Sequence, residues 1–138
     1  MLSVSAHWYV PEAAVTATSR PRTIHDFGGF PKLLHKVEYP APGSPELAHR
    51  VRELLTPISV RIDRDRGLDH GIWSVLVHMY PAADRIRLAV LRKYVDLPVV
   101  QLSIDETREG SWHYEVAKQL HSLRDEGVLI LGSGNGRV

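Results

Sequence analysis

Eight of the 138 residues are histidine, a density that puts imidazole chemistry first. Imidazole is the commonest neutral ligand for divalent metals, and its ordinary pKa lies near neutrality, so it can serve as ligand, base or acid. Two positions stand out. His7 follows the apolar run Leu2-Ser3-Val4-Ser5-Ala6 and precedes Trp8. A histidine at the end of an interior strand can point into the crevice where α/β sheets bind ligands. Packed against Trp8 it would instead be a satisfied core histidine, and spacing alone leaves both readings open. His70 lies in Asp69-His70-Gly71. Gly71 permits a tight backbone, and Asp69 could orient the imidazole or cap the helix that follows. A neutral imidazole there suits proton transfer; an exposed loop histidine is the competing reading. His25, beside Asp26 and Phe27, receives no catalytic role. His35, His49, His78, His113 and His121 fall on or beside helical stretches and read as surface residues. His49 has no partner at His-x-x-x-His spacing, and His113 and His121 are too far apart to chelate one ion from one short helical face.

The elements that must position these residues follow from pattern. Leu2–Ala6 and Val99–Ile104 are apolar runs that predict interior strands, as does Val128–Leu131. Val15–Thr18 is rich in β-branched residues and predicts a short strand, and Ile58–Ile62 alternates as a half-buried strand does. Ser44 can cap a helix with Pro45 at its first position, running to about Leu55. Leu47, Val51, Leu54 and Leu55 then share one face, and Glu46, Arg50 and Glu53 the other. Ile72–Met79 predicts a second helix stopped by Pro81, and Ser111–Asp125 a third ended by Gly127. Residues 19–45, rich in proline and glycine, predict a long loop with a helical turn near Pro31–Leu34. Residues 63–71 predict a polar loop, with Arg61, Arg64 and Arg66 solvated among Asp63 and Asp65. Strands alternating with helices predict one α/β domain with a largely parallel or mixed central sheet flanked by helices.

Composition narrows the chemistry. There is no cysteine, which excludes disulfides, thiolate metal sites and a cysteine nucleophile. A net charge of +1, with basic residues scattered, predicts neither nucleic acid nor a membrane surface as partner. No stretch approaches the ~20 apolar residues of a membrane span, and no basic region followed by a long apolar run marks a signal peptide. A reducing, cytoplasmic setting is the expectation. No Gly-x-Ser-x-Gly elbow is present. Gly28-Gly29 and Gly132-Ser133-Gly134 match no nucleotide fingerprint and read as turns. The tryptophans Trp8, Trp73 and Trp112 read as core or pocket wall, without the stacking array of a single-strand binder.

Several segments occur in a telling order: Ser5-Ala6-His7-Trp8, Thr23-Ile24-His25-Asp26-Phe27-Gly28-Gly29-Phe30-Pro31, Tyr39-Pro40-Ala41-Pro42-Gly43-Ser44-Pro45, Leu68-Asp69-His70-Gly71, Val99-Val100-Gln101-Leu102-Ser103-Ile104-Asp105, and Leu123-Arg124-Asp125-Glu126-Gly127-Val128 leading to Gly132-Ser133-Gly134-Asn135. This order resembles the class III extradiol ring-cleavage dioxygenases, in their B-type catalytic chain and its DOPA 4,5-dioxygenase-like branch. The resemblance implies an enzyme that opens a catecholic small molecule with molecular oxygen at one non-heme divalent metal, Fe(II) or Zn(II). It implies His7 as a metal ligand and His70 as a catalytic acid/base or substrate-binding group, and it assigns no further substrate-binding residue. The family's other metal histidines, in a His-Gly-Ser-Pro segment upstream and beyond the Ser-Gly-Asn turn downstream, have no counterpart here.

Relative to the family, the chain looks like a partial domain over residues 1–138, truncated at both ends, and little or no ring-opening activity is expected of it alone. Residues 85–96 read as an insertion or a gene-model artefact. The competing expectation is a catalytically inactive remnant that binds at most an aromatic ligand or a protein. A metal-dependent hydrolase ranks last, for want of a carboxylate-rich metal motif. Oligomeric state is not encoded in any of these patterns.

Overall fold

The computed structural model describes residues 1–80 and 97–134. The segment 85–96, read as an insertion, lies outside the described residues. Among those described, five strands form one mixed sheet: β1 (Leu2–Val10), β2 (Ala13–Thr16), β3 (Val60–Asp63), β4 (Val100–Asp105) and β5 (Ile130–Ser133), in the order β3-β2-β4-β1-β5. β1 runs parallel to both β4 and β5, and β2 is parallel to β3 but antiparallel to β4. The expected α/β class is what forms. Among the described residues, no helix is long and apolar enough to cross a membrane.

Period-two alternation sends Leu2 and Val4 of β1, and Val100 and Leu102 of β4, to one face. There they meet Ala48, Val51 and Leu55 from α1 (Pro45–Leu54) and its end. Val116 of α3 (Gly110–Gln119) and Leu123 of α4 (Ser122–Asp125) complete that layer. The opposite face is covered by α2 (His70–Met79), whose Ile72, Trp73 and Leu76 pack with Leu68, Tyr39 and Val99. The loop between β2 and α1 lies over this second layer and contains a short 3-10 turn, Leu34–Lys36.

Local chemistry explains the boundaries. Ser44 caps α1, its Oγ accepting from the Leu47 backbone N–H at 3.1 Å. That satisfies one orphan donor and is worth about 1 kcal/mol. The helix expected over Ser111–Asp125 is instead two. Around Leu120 the chain tightens, with Leu120 N–H donating to Ala117, His121 to Lys118 and Leu123 to Leu120. The tighter turn buries Leu120 and Leu123 together. Gly127 then ends α4 in the left-handed region, φ 76°, with Val128 N–H reaching back to the Leu123 carbonyl.

Two expectations fail. Val128–Leu131 does not form an interior strand: the strand is Ile130–Ser133, it is half-buried, and it forms an edge among the described residues. It consequently takes up Gly132 and Ser133, which read as a turn. Nor are the arginines a purely solvated group. Arg61 lies in β3 and pairs with Glu12 and Asp63. Arg66 turns inward, stacking its guanidinium 4.6 Å over the Trp8 ring and reaching Asp69 at 3.3 Å.

Candidate active site

β1 does not keep one register. Leu2 to Val4 align with Val100 to Leu102, but the next aligned pairs are Tyr9 with Ile104 and Val10 with Asp105. Five residues advance on β1 against two on β4, so the segment between bows out of that ladder. His7 sits in the bow, where a strand end was expected. Its backbone N–H donates to Ser5 Oγ at 3.2 Å, and its imidazole is exposed, hydrogen-bonded to no described residue.

His70 is the first residue of α2, not part of the loop before it. Its imidazole lies beside that of His7, ring centroids 3.9 Å apart and tilted by 46°. The two residues singled out by sequence thus share one surface. Asp69, expected to orient His70 or cap the helix, does neither with its side chain. Both tasks fall to Asp26, from the loop after β2. One oxygen, Asp26 Oδ1, accepts from the His70 backbone N–H at 3.0 Å and stands 2.8 Å from His70 Nδ1. An ionised carboxylate can only accept, so Nδ1 carries a proton and faces Asp26, which leaves Nε2 as the nitrogen turned away from it. Partial burial pushes the Asp26 carboxyl upward, but the hydrogen bonds from the backbone and ring of His70 outweigh it and hold the group below the ordinary carboxylate value.

The loop bearing Asp26 is pinned along its length. Trp73 Nε1 donates to the Ile24 carbonyl at 2.7 Å, and Ile24 N–H to the Leu68 carbonyl at 2.8 Å. His25 Nε2 meets the Val37 carbonyl at 2.8 Å, and Tyr39 N–H donates to Thr23 Oγ1 at 2.8 Å. Phe27 stands edge-on to His70, centroids 5.4 Å apart, and touches the His35 ring at 4.7 Å. The site is therefore a polar pair of imidazoles beside an aromatic wall. His49 and His113 stay apart from it, bonded respectively to Arg52 and to the Asp105 carbonyl.

Ligand atoms of His7, Asp26 and His70 all lie within 4.8 Å of one another. Two imidazoles and a carboxylate suit a divalent ion that accepts nitrogen and oxygen donors. The described residues offer part of a ligand set for such an ion: His7 has both ring nitrogens available, while Asp26 is engaged with His70 Nδ1. A carboxylate on the far nitrogen of a histidine is also the usual support for an imidazole that ligates or takes a proton.

Sequence reasoning missed Asp26 because 44 residues separate it from His70. It also missed Ser5 and Gln101, both fully buried beneath the site. Here a signal was available, since each is a polar residue alternating with apolar ones in a buried strand.

Comparison with known proteins identifies the family of the chain. Residues 1–136 fit the family model described as the catalytic LigB subunit of aromatic ring-opening dioxygenase. The chain is 50% identical over 133 residues to the 4,5-DOPA dioxygenase extradiol of Escherichia coli K12, covering 96% of this chain and 45% of that one. It is 44% identical over 138 residues to the Beta vulgaris protein of the same name, covering 98% of this chain and 47% of that one. The crystal structure of an uncharacterized protein from Escherichia coli K12 superposes with a TM-score of 0.72 at 43% identity, over 97% of this chain and 45% of the other. The chain spans less than half the length of these relatives. With its mixed sheet and paired imidazoles, it belongs to the LigB family of class III extradiol dioxygenases, in the DOPA dioxygenase-like branch.

Proposed function

We propose that this chain carries part of the centre of a metal-dependent extradiol dioxygenase that opens a DOPA-like or other catecholic ring with molecular oxygen. The observation that supports it best is the contact between the His7 and His70 rings, with His70 Nδ1 held by Asp26. In this reading His7 is a metal ligand and His70 the acid/base. A divalent metal, Fe(II) or Zn(II), when bound, lowers the pKa of the catechol hydroxyls and brings ring and oxygen together. His70 Nε2 receives a hydroxyl proton of the incoming catechol, and the anionic Asp26 stabilises the imidazolium that results. The proton is returned as the ring-opened product leaves. Phe27 and the pinned loop shield one side of the pair from water.

A second reading has one observation in its favour. Asp26 and His70 are engaged with each other, which leaves His7 as the one member of the trio with a wholly unengaged donor group among the described residues. A site so composed retains a metal weakly, and the chain would then act at most as a binding module for an aromatic ligand. Oxygen uptake separates the two. The 138-residue chain, alone and extended by an upstream His-Gly-Ser-Pro segment and the downstream histidines, is loaded with iron anaerobically and given DOPA, and uptake is followed together with the yellow ring-opened product. Uptake abolished by His7→Ala supports the dioxygenase. Catechol binding without uptake supports the module, and absence of both rejects both.

A further inference from the structure

We propose that Asp69 is a positioning residue for this site: its buried carboxylate holds the bowed segment of β1 against the start of α2 and so sets His7 beside His70. The side chain is fully buried, with Ser5 and Gln101 equally buried around it. A carboxylate is tolerated there only when donors surround it. Three do. Ser5 Oγ donates to Oδ1 at 2.8 Å, Gln101 Nε2 to Oδ2 at 2.6 Å, and Arg66 Nη2 to Oδ2 at 3.3 Å. The backbone N–H of Asp69 donates in turn to Gln101 Oε1 at 3.2 Å. Gln101 therefore grips residue 69 from two directions, which fixes which way its amide points.

The consequence for His7 runs through one hydroxyl. Ser5 has a single proton to give, and Asp69 takes it. Its oxygen is then free to accept the His7 backbone N–H. This bond lies in the segment that has left its register with β4, so a side chain replaces the ladder there. On the helix side, Asp69 occupies the N-cap position of α2, yet its side chain bonds none of that helix's N–H groups, since Ser5, Gln101 and Arg66 hold both of its oxygens. The carboxylate instead ties the first turn of α2 to the strand. Gly71 lets the two come this close: a Cβ there would lie 2.5 Å from Ser5 Oγ and 2.7 Å from His7 Cδ2.

The inference rests on the His7–His70 pair being the working site, but its test does not require turnover. Ring-to-ring NOEs between His7 and His70 are measured in the 138-residue chain, with thermal unfolding followed alongside. Asp69→Asn puts a donor where an acceptor stood. Facing Gln101 or Arg66, the new N–H meets other donors. Facing Ser5, it reverses the hydroxyl and competes with the His7 N–H for its oxygen. The expected result is loss of the NOEs with unfolding still cooperative. D69N/Q101E moves the carboxylate across the pair. The amide and backbone N–H groups at position 69 then both donate to the carboxylate at position 101, Ser5 again has an acceptor, and the NOEs return. A purely structural role would lower the melting temperature without this rescue. Unchanged NOEs in D69N, or none regained in a folded D69N/Q101E, would overturn the inference. If D69N does not fold, Ser5→Ala decides. It cuts the link to His7 and leaves Gln101 and Arg66 on Asp69, so NOEs lost in a folded chain support the proposal and NOEs kept refute it. Absent oxygen uptake by the extended chain, with the NOEs intact, would sink the proposed function alone.

Discussion

Gly71→Ala adds one methyl group at the tightest approach between α2 and β1. The new Cβ would stand 2.7 Å from His7 Cδ2, about 0.8 Å inside the ~3.5 Å at which carbon atoms pack comfortably. It would also stand 2.5 Å from Ser5 Oγ and 3.2 Å from Asp69 Oδ1, so the imidazole cannot relieve the clash alone. Overpacking of this kind costs about 1–3 kcal/mol. Against it, alanine is a better helix former than glycine, and Gly71 lies in the first turn of α2, so about 0.5–1 kcal/mol returns. The net expectation is a loss of about 0–2.5 kcal/mol, read as a lower urea midpoint at unchanged slope, and a gap of about 1–3 kcal/mol from a variant with the same helix gain and no clash. Gly110→Ala is the control. It too opens a helix, but no described atom lies within 4 Å of its would-be Cβ, so it should be neutral or slightly stabilising. The two variants have the same chemistry and differ only in what the methyl meets. If G71A is as stable as G110A, the close approach of helix and strand is not real, and the placement of His7 beside His70 goes with it.

Asp26→Ala removes the acceptor shared by the backbone and ring of His70. It should cost about 0.5–2 kcal/mol as a lost cap and lower ring-opening turnover on the order of 10–100-fold as a lost imidazole support, measured by denaturation and oxygen uptake. Asp63 is likewise held below the ordinary carboxylate value. Burial opposes this, and the N–H groups of Arg66 and Asp65 with the Arg61 guanidinium prevail. A carboxyl depressed on folding stabilises fully above its unfolded pKa of ~3.9 and loses that contribution as pH falls through its lower folded value. The stability gap between wild type and Asp63→Asn should therefore be steady at neutral pH and close below about pH 4 in urea titrations. Ser44→Ala should cost about 1 kcal/mol by removing the α1 cap, in the same assay.

The α1 cap, the interior position of β4 and the nearness of His7 to His70 were legible in the sequence, because each follows from local pattern or from segments matched in order. What stayed hidden was settled by partners distant in the chain. The position of β5 at an edge depends on which strand lies beside it, and an apolar run such as Val128-Leu129-Ile130-Leu131 reads alike in either place. The break at Leu120 arises from two leucines sharing one core, which the helical stripe of α3 does not announce. Asp26 has no spacing relation to His70 at all. It reaches His70 only because the loop after β2 is pinned against α2 by Trp73 and Leu68. The inward turn of Arg66 was hidden for the same reason, since Trp8 and Asp69 lie on different elements.

The place of β1 between β4 and β5 has a consequence for how the molecule comes to exist. Leu2 pairs with Val100 on one side and Ile130 on the other. β1 thus waits for two neighbours that both lie far later in the chain. Closure over such separations is slow, since the entropy of the intervening chain is lost before any pairing rewards it. During that interval Leu2-Ser3-Val4-Ser5 is an apolar strand with both edges bare, the state most open to wrong partners and to chaperone capture. His7 lies on that same strand, so its place beside His70 depends on β1 having found its position in the sheet.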